Sequence, residues 1–202
     1  MDGKPKTGSG LLFDGIKENL VLGPGVYSPR YDSRMLSSAI ERYAFGKMLD
    51  MGTGTGIQGI VAAKKGCSVT FADKNPDAVA CARLNAKRNG VHGRFVVSDL
   101  FSNVRDEFNT IAFDPPYLRT FLVPERMQDC ALHGGGLHGR EIIDRFLAGY
   151  ADHVLDDYLV LLVEPPWAGW KRDASKLDAK VVEKKHYSLL GTFVILMFGS
   201  SA

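Results

Sequence analysis

The chain has 202 residues, of which 45% are hydrophobic, 24% charged and 10% aromatic. This composition excludes disordered and fibrous classes and fits one domain with a core large enough to need no disulfide or metal staple. Twenty-five Lys and Arg against 23 Asp and Glu leave a formal charge of +2, too mild for an obligate electrostatic grip on a nucleic-acid backbone. Cys67, Cys81 and Cys130 are odd in number and widely spaced, which argues against a disulfide framework or paired-Cys zinc site and for a reducing, cytoplasmic setting. Polar Met1 to Gly10 does not read as a signal peptide, and no apolar run approaches the ~20 residues that span a bilayer.

In chain order, the first ten residues read as a tail, and Leu20 to Leu22 predicts a short strand stopped by Gly23-Pro24-Gly25. Apolar spacing predicts a helix over roughly 33–44. Lys47 to Met51 then reads as a strand, followed by a glycine loop and a helix ending at Gly66. Ser68 to Ala72 is a second strand; Asn75 and Pro76 supply an N-cap and first-turn proline for a helix running to Gly90. Arg94 to Ser98 and Thr110 to Phe113 are the third and fourth strands, Arg140 to Leu155 an amphipathic helix, and Tyr158 to Val163 a fully apolar fifth strand. Lys180 to His186 and Thr192 to Phe198 predict an antiparallel edge hairpin. Strands alternating with helices make the class α/β, a mostly parallel sheet covered on both faces.

Asp50-Met51-Gly52-Thr53-Gly54-Thr55-Gly56 lies between strand and helix, where absent side chains let a ligand approach the backbone and a helix N-terminus offers free N–H groups. Gly54, Gly56 and Gly59 also satisfy G-x-G-x-x-G, so the loop alone fits either a dinucleotide or S-adenosylmethionine. Asp73, ending the second strand, suits the hydroxyls of a ribose. Asp99, followed by Leu100 and Phe101, suits the exocyclic amine of an adenine packed on apolar neighbours. These strand ends converge on one crevice. Asp114-Pro115-Pro116-Tyr117 ends the fourth strand: two prolines remove N–H donors, Asp114 adds a carboxylate and Tyr117 a planar wall. The result is an acceptor-rich pocket for a planar NH2 group. Glu164-Pro165-Pro166-Trp167 reads as a plain loop closing the fifth strand. His92, His133, His138, His153 and His186 lack paired metal spacing, so no metal site is predicted. Lys4, Lys6, Arg30, Arg34 and Arg119 form at most a scattered basic rim.

At these residues the chain resembles the class I S-adenosylmethionine-dependent methyltransferases that modify amino or amide nitrogens. Val26-Tyr27-Ser28-Pro29-Arg30-Tyr31-Asp32-Ser33 resembles the Y-x-P-x-x-D-S/T segment of the HemK-type protein-glutamine methyltransferases. The Gly139 to Phe146 stretch is similar to the G-R-E-x-x-D-R-F of the short archaeal and eukaryotic branch that methylates a peptide-release factor. The resemblance implies a Rossmann-like seven-stranded sheet with a C-terminal antiparallel hairpin. Residues 1–45 would be a tail and a segment closing over cofactor and substrate, and 46–202 the methyltransferase domain, within one structural unit. It also implies S-adenosyl-L-methionine as cofactor, held by Asp50, Gly52, Thr53, Gly54 and Gly56, with Asp73 and Lys74 at the ribose and Asp99 and Leu100 at the adenine. Tyr27, Pro29 and Asp32 would close over the site; Asp114, Pro115, Pro116 and Tyr117 would be catalytic. The partners it implies are a release factor as substrate and a small zinc-binding activator subunit.

One departure stands out. Release-factor enzymes of this family carry N-P-P-Y, whereas this chain has Asp114, and D-P-P-Y also occurs in methyltransferases of nucleobase amino groups. The reading is therefore an N-methyltransferase acting on the glutamine amide of a release factor, with an RNA or DNA base amine as the alternative substrate. A non-catalytic cofactor-binding subunit is a further alternative, disfavoured by the intact Asp114 to Tyr117 motif; a nicotinamide oxidoreductase lacks any candidate hydride-relay residue.

Overall fold

The computed structural model describes residues 11–118, 136–188 and 191–202. Seven strands form one sheet: β1 (Lys47–Met51), β2 (Ser68–Asp73), β3 (Arg94–Val97), β4 (Phe108–Phe113), β5 (Val154–Glu164), β6 (Lys180–Tyr187) and β7 (Gly191–Phe198). The order is β3-β2-β1-β4-β5-β7-β6, parallel except for β7, which runs antiparallel to both neighbours. The predicted mostly parallel α/β sheet with an antiparallel edge hairpin is what the chain forms. Alternating burial explains its stability. Leu159, Leu161 and Val163 of β5 join one apolar cluster and Val160 and Leu162 the other, so the continuous apolar run is buried on both faces. Helices α1 (Leu11–Lys17), α2 (Tyr31–Tyr43), α3 (Ile57–Lys64) and α4 (Pro76–Arg88) contribute to the first cluster. The second receives Ile143 and Phe146 of α5 (Glu141–Gly149), with Ala174 of α6 (Trp170–Lys176) packed against it.

Local signals act as the sequence predicts at α4: the Asn75 side chain accepts from the Asp77 N–H at 2.9 Å and Pro76 takes the first turn. Two expectations are corrected, and two short helices are added. Leu20 to Leu22 is not a strand. Its backbone pairs instead with one side chain, because Asn85 on α4, wholly buried, accepts from the Val21 N–H (2.8 Å) and donates to the Val21 carbonyl (2.9 Å). The helix expected over 140–155 stops at Gly149, a 3-10 turn covers Tyr150–His153, and Val154 already belongs to β5 opposite Phe108. Glycine is a poor helix former and the strand pairing wins. Helices α1 and α6, seven residues each, are too short to show a period. Met1 to Gly10, Cys130 and the Leu189-Leu190 connection lie outside the described residues.

The order in which strands are added reverses between β1 and β4, which run parallel: β2 and β3 are laid down on one side of β1, and β4 and β5 on the other. The carboxyl ends of these central strands flank the switch point, where open parallel sheets bind ligands.

The Asn85 amide also donates to the Thr55 carbonyl at 2.9 Å, so one side chain ties the residues before α2 to the glycine loop. Asn85→Ala would strand buried backbone groups at both ends. We expect a loss on the order of 3 kcal/mol, read as a lower denaturant midpoint in urea unfolding.

Candidate active site

A cavity of about 630 Å³ opens beyond the ends of β1 to β4, within the size range of small-molecule sites. Its wall includes Tyr27, Pro29, Asp32, Gly52, Thr53, Gly54, Asp73, Lys74, Asp99, Leu100 and the whole Asp114-Pro115-Pro116-Tyr117 motif. Residues spread over ninety positions of sequence thus meet in one chamber, as the sequence predicts.

The glycine loop is built by Asp50. Its carboxyl, at the heart of β1 and 2% exposed, accepts from the Thr53 hydroxyl at 2.6 Å and from the Gly59 N–H at 3.0 Å. One acid thereby fixes both the bend and the first turn of α3. Burial pushes its pKa up to about 7, with the two hydrogen bonds pulling the other way. Gly52 and Gly54 have left-handed φ of 65° and 52°, and a Cβ on Gly52 would lie 3.1 Å from the Phe113 ring. The loop therefore passes directly over the end of β4, where Asp114 follows.

Asp73 accepts from the Gly54 N–H (3.0 Å) and the Asn75 N–H (2.9 Å). Burial raises its pKa against these bonds. A carboxylate has about four lone-pair sites, so capacity remains for a diol. Asp99 is half exposed and pairs with Arg145 at 2.8 Å. Leu100, at φ 48°, faces the cavity.

At the other end, Asp32 near the start of α2 accepts from the Ser33 N–H at 2.8 Å and from the Tyr117 hydroxyl. The Ser33 hydroxyl lies 3.5 Å from Asp32 Oδ1 and 3.4 Å from Asp114 Oδ2. Burial and the neighbouring Asp32 hold the Asp114 pKa well above the usual carboxylate range. Burial and the nearby acids likewise raise Tyr117, and burial followed by Asp32 raises Tyr27.

Some expectations change. Asp50 and Gly56 do not line the cavity. Asp50 shapes the loop from behind, and Gly56 lets α4 approach, since a Cβ there would sit 3.1 Å from Ala82. Phe101 stacks on His153 and Phe146 rather than reaching the site. Arg34 is engaged by Asp14, and Arg30 lies over Tyr27; Lys4, Lys6, Arg119 and His133 lie outside the described residues. Among the described residues no cluster of His, Cys, Asp or Glu could hold a metal.

Ser33 and Gln58 were not among the sequence candidates. Gln58, 5% exposed on an otherwise apolar helix face, donates to the Ser33 carbonyl at 2.8 Å and accepts from Ser37 at 2.7 Å. A polar side chain on such a face was the available signal. Trp167 was read as part of a plain loop, yet its indole N–H donates to the Tyr117 carbonyl at 3.0 Å and its ring meets Tyr117 edge-on. Behind it, Glu164 is wholly buried with neither oxygen hydrogen-bonded among the described residues, while Asp173 pairs with Arg140 at 2.8 Å.

The model of the Methyltransferase small domain family matches residues 18–126. The chain belongs to this family. A Methanocaldococcus jannaschii protein named as a protein N5-glutamine methyltransferase is 38% identical over 171 residues, 83% of this chain and 85% of that one. The Ribosomal RNA small subunit methyltransferase C of Photorhabdus laumondii is 34% identical over 107 residues, but this chain spans only 32% of its length. Among solved structures, the E. cuniculi Mtq2-Trm112 complex, described as responsible for methylation of the eRF1 termination factor, superposes with a TM-score of 0.67 and 25% identity, covering 86% of this chain and 97% of that one. The chain is an S-adenosylmethionine-dependent methyltransferase with the Rossmann-like fold of its class.

Glu164 gives a pH test. Burial, then Asp173, push its pKa from 4.5 up to about 8, so the folded state holds a proton that the unfolded chain has lost. Stability falls as pH rises from about 4.5 to about 8 and levels above. Glu164→Gln, which stays neutral, is expected to flatten that fall, matching wild type near pH 5 and exceeding it by a few kcal/mol at pH 8.5, as read from urea unfolding across pH.

Proposed function

We propose that this enzyme methylates the side-chain amide of a glutamine, with a peptide-release factor as the protein substrate. The observation that carries the reading is Asp114 to Tyr117 at the end of β4 directly beneath the glycine loop, in a chain similar along most of its length to an N5-glutamine methyltransferase. The Mtq2-Trm112 structure adds a termination factor as that protein's substrate and a partner subunit in its complex. We extend both to this chain, with a small zinc-binding partner and a cytoplasmic setting as part of the proposal. Among the described residues no helix is long and apolar enough to cross a membrane.

The residues present fit the cofactor. Backbone at Gly52 and Gly54 would receive its methionine part, Asp73 its ribose, and Asp99 with Leu100 its adenine. When bound, it supplies a methyl group on a positively charged sulfur. The chain supplies geometry. Asp114 and the Pro115 carbonyl would accept the two hydrogens of the substrate NH2, and Tyr117 would pack on the amide plane. An amide nitrogen is a poor nucleophile because its lone pair is delocalised; two acceptors on its hydrogens draw it toward pyramidal geometry and concentrate density on nitrogen. Alignment then supplies most of the rate. The nitrogen loses its proton after the N–C bond forms, when it is cationic and acidic.

A neutral amide also suits the wall's charge: among the described residues, Asp32, Asp73, Asp77, Asp99 and Asp114 line the cavity against Lys74 alone of the basic residues. An approaching phosphate backbone would meet repulsion. Asp114 in place of Asn and the similarity to a ribosomal RNA methyltransferase over part of its length favour a nucleobase amine, and they define the control.

Incubation with radiolabelled cofactor is expected to label an archaeal or eukaryotic release factor and not total RNA. Asp114→Ala should cut transfer by roughly 100-fold or more. Label in RNA but not in the release factor would replace the substrate assignment.

A further inference from the structure

Acids without a counter-ion among the described residues line the methyl-transfer end of the cavity. Asp32 is held by the Ser33 N–H and the Tyr117 hydroxyl, and Asp114 faces the Ser33 hydroxyl, which stands 3.4 to 3.5 Å from both carboxyls. Among the described residues neither carboxyl has a Lys, Arg or His nitrogen within 4.0 Å, although surface acids such as Asp14, Asp99 and Asp106 do. Among the described residues, the other titratable groups facing Asp114 are Asp50 from β1, Tyr27 from the segment before α2 and Tyr117 beyond β4. All are acids or phenols. Arg30 lies over the Tyr27 ring.

Burial and the neighbouring Asp32 raise the Asp114 pKa well above the usual carboxylate range, because a desolvated carboxyl beside a second acid resists ionisation. A cation placed beside Asp114 favours release of its proton. The ligand this site takes comes in two forms that differ at one atom: S-adenosylmethionine carries a positive sulfur, and its product S-adenosylhomocysteine is neutral. If Asp114 orients the accepting nitrogen, as proposed above, the charged sulfur has to lie near this pair to deliver its methyl.

We propose that Asp114, set beside Asp32 across the Ser33 hydroxyl, distinguishes the cofactor from its product by charge, releasing a proton when the sulfonium binds and taking one up when the neutral product is left. Two consequences follow for this chain. Product rebinding is disfavoured once Asp114 is ionised, because its carboxylate then has no cation on the ligand to face. Asp114 also becomes a pure acceptor only when the cofactor is in place: a protonated carboxyl presents an O–H toward the substrate's N–H groups, whereas the carboxylate accepts from them. Substrate amide binding is therefore coupled to cofactor charge. An Asn at this position is neutral throughout and cannot couple in this way, which gives the Asp114 departure a role.

The test is a binding measurement without any methyl acceptor, so it does not depend on the glutamine assignment; that assignment stands or falls in the labelling experiment. Isothermal titration of the whole protein with S-adenosylmethionine and with S-adenosylhomocysteine, in buffers of different ionisation enthalpy, counts protons exchanged. Wild type is expected to release up to about one more proton with the sulfonium than with the product near neutral pH. The ratio of the product's Kd to the cofactor's Kd should rise with pH, at most about tenfold per unit, and then level off. In Asp114→Asn the ratio should become flat, whereas Asp106→Asn, at a surface acid paired with Arg94, should keep the wild-type slope. Equal proton counts for the two ligands in wild type would overturn the proposal without any variant. A wild-type slope retained in Asp114→Asn, or lost equally in Asp106→Asn, would overturn it as well.

Discussion

Everything at this site hangs from a buried carboxyl. Asp50 has left water to bridge the Thr53 hydroxyl and the Gly59 N–H, and the cost of burying it is offset only because a loop and a helix start supply donors at hydrogen-bonding distance. The bend it imposes sets Gly52 against Phe113, and that contact brings the acceptor motif of β4 beneath the loop. The Gly54 N–H then falls to Asp73 on the next strand. Three strand ends are thereby joined by short hydrogen bonds and one close contact, and the cavity is what they leave open.

The parts of this arrangement that are local in the chain were legible from it. The strand, glycine loop and helix around Asp50, the Asn75-Pro76 helix start, the apolar alternation of β5 and the Asp-Pro-Pro-Tyr motif each declare themselves within about ten residues. The parts that escaped are those in which a side chain substitutes for backbone across a long separation. Asn85 completes the hydrogen bonding of Val21, sixty-four positions away, so a segment that looks like a strand is satisfied without a partner strand. Trp167 reaches the Tyr117 carbonyl across fifty positions. Nothing in Glu-Pro-Pro-Trp itself distinguishes a closing loop from a brace for the acceptor wall; only the pairing of β4 with β5 places the two motifs side by side.

Charge gives the cavity its character. A net charge of +2 over the chain conceals a chamber whose charged lining, among the described residues, is Asp32, Asp73, Asp77, Asp99 and Asp114 against Lys74, while Arg34 is committed to Asp14, Arg30 lies over Tyr27 and Arg145 pairs with Asp99. Such a wall is suited to a cationic small molecule and a neutral acceptor. It also accounts for why Ser33 and Gln58 matter: with carboxyls this crowded, hydroxyl and amide dipoles are the groups that can hold them in place without neutralising them.

The position of β7 divides the site into halves of different standing. Strand β6 joins the sheet solely through β7, and Phe193 of β7 meets Tyr117 at 5.5 Å and Trp167 at 5.9 Å between ring centroids. Parting β7 from β5 would release the hairpin as one cooperative unit and take the backing of the acceptor wall with it, leaving Asp50, Asp73 and the glycine loop seated in the β1–β3 half. Sub-global openings of this kind lie below global unfolding in free energy. With acceptor and nucleoside seated as proposed, such an opening would release the acceptor's wall and leave the nucleoside's in place.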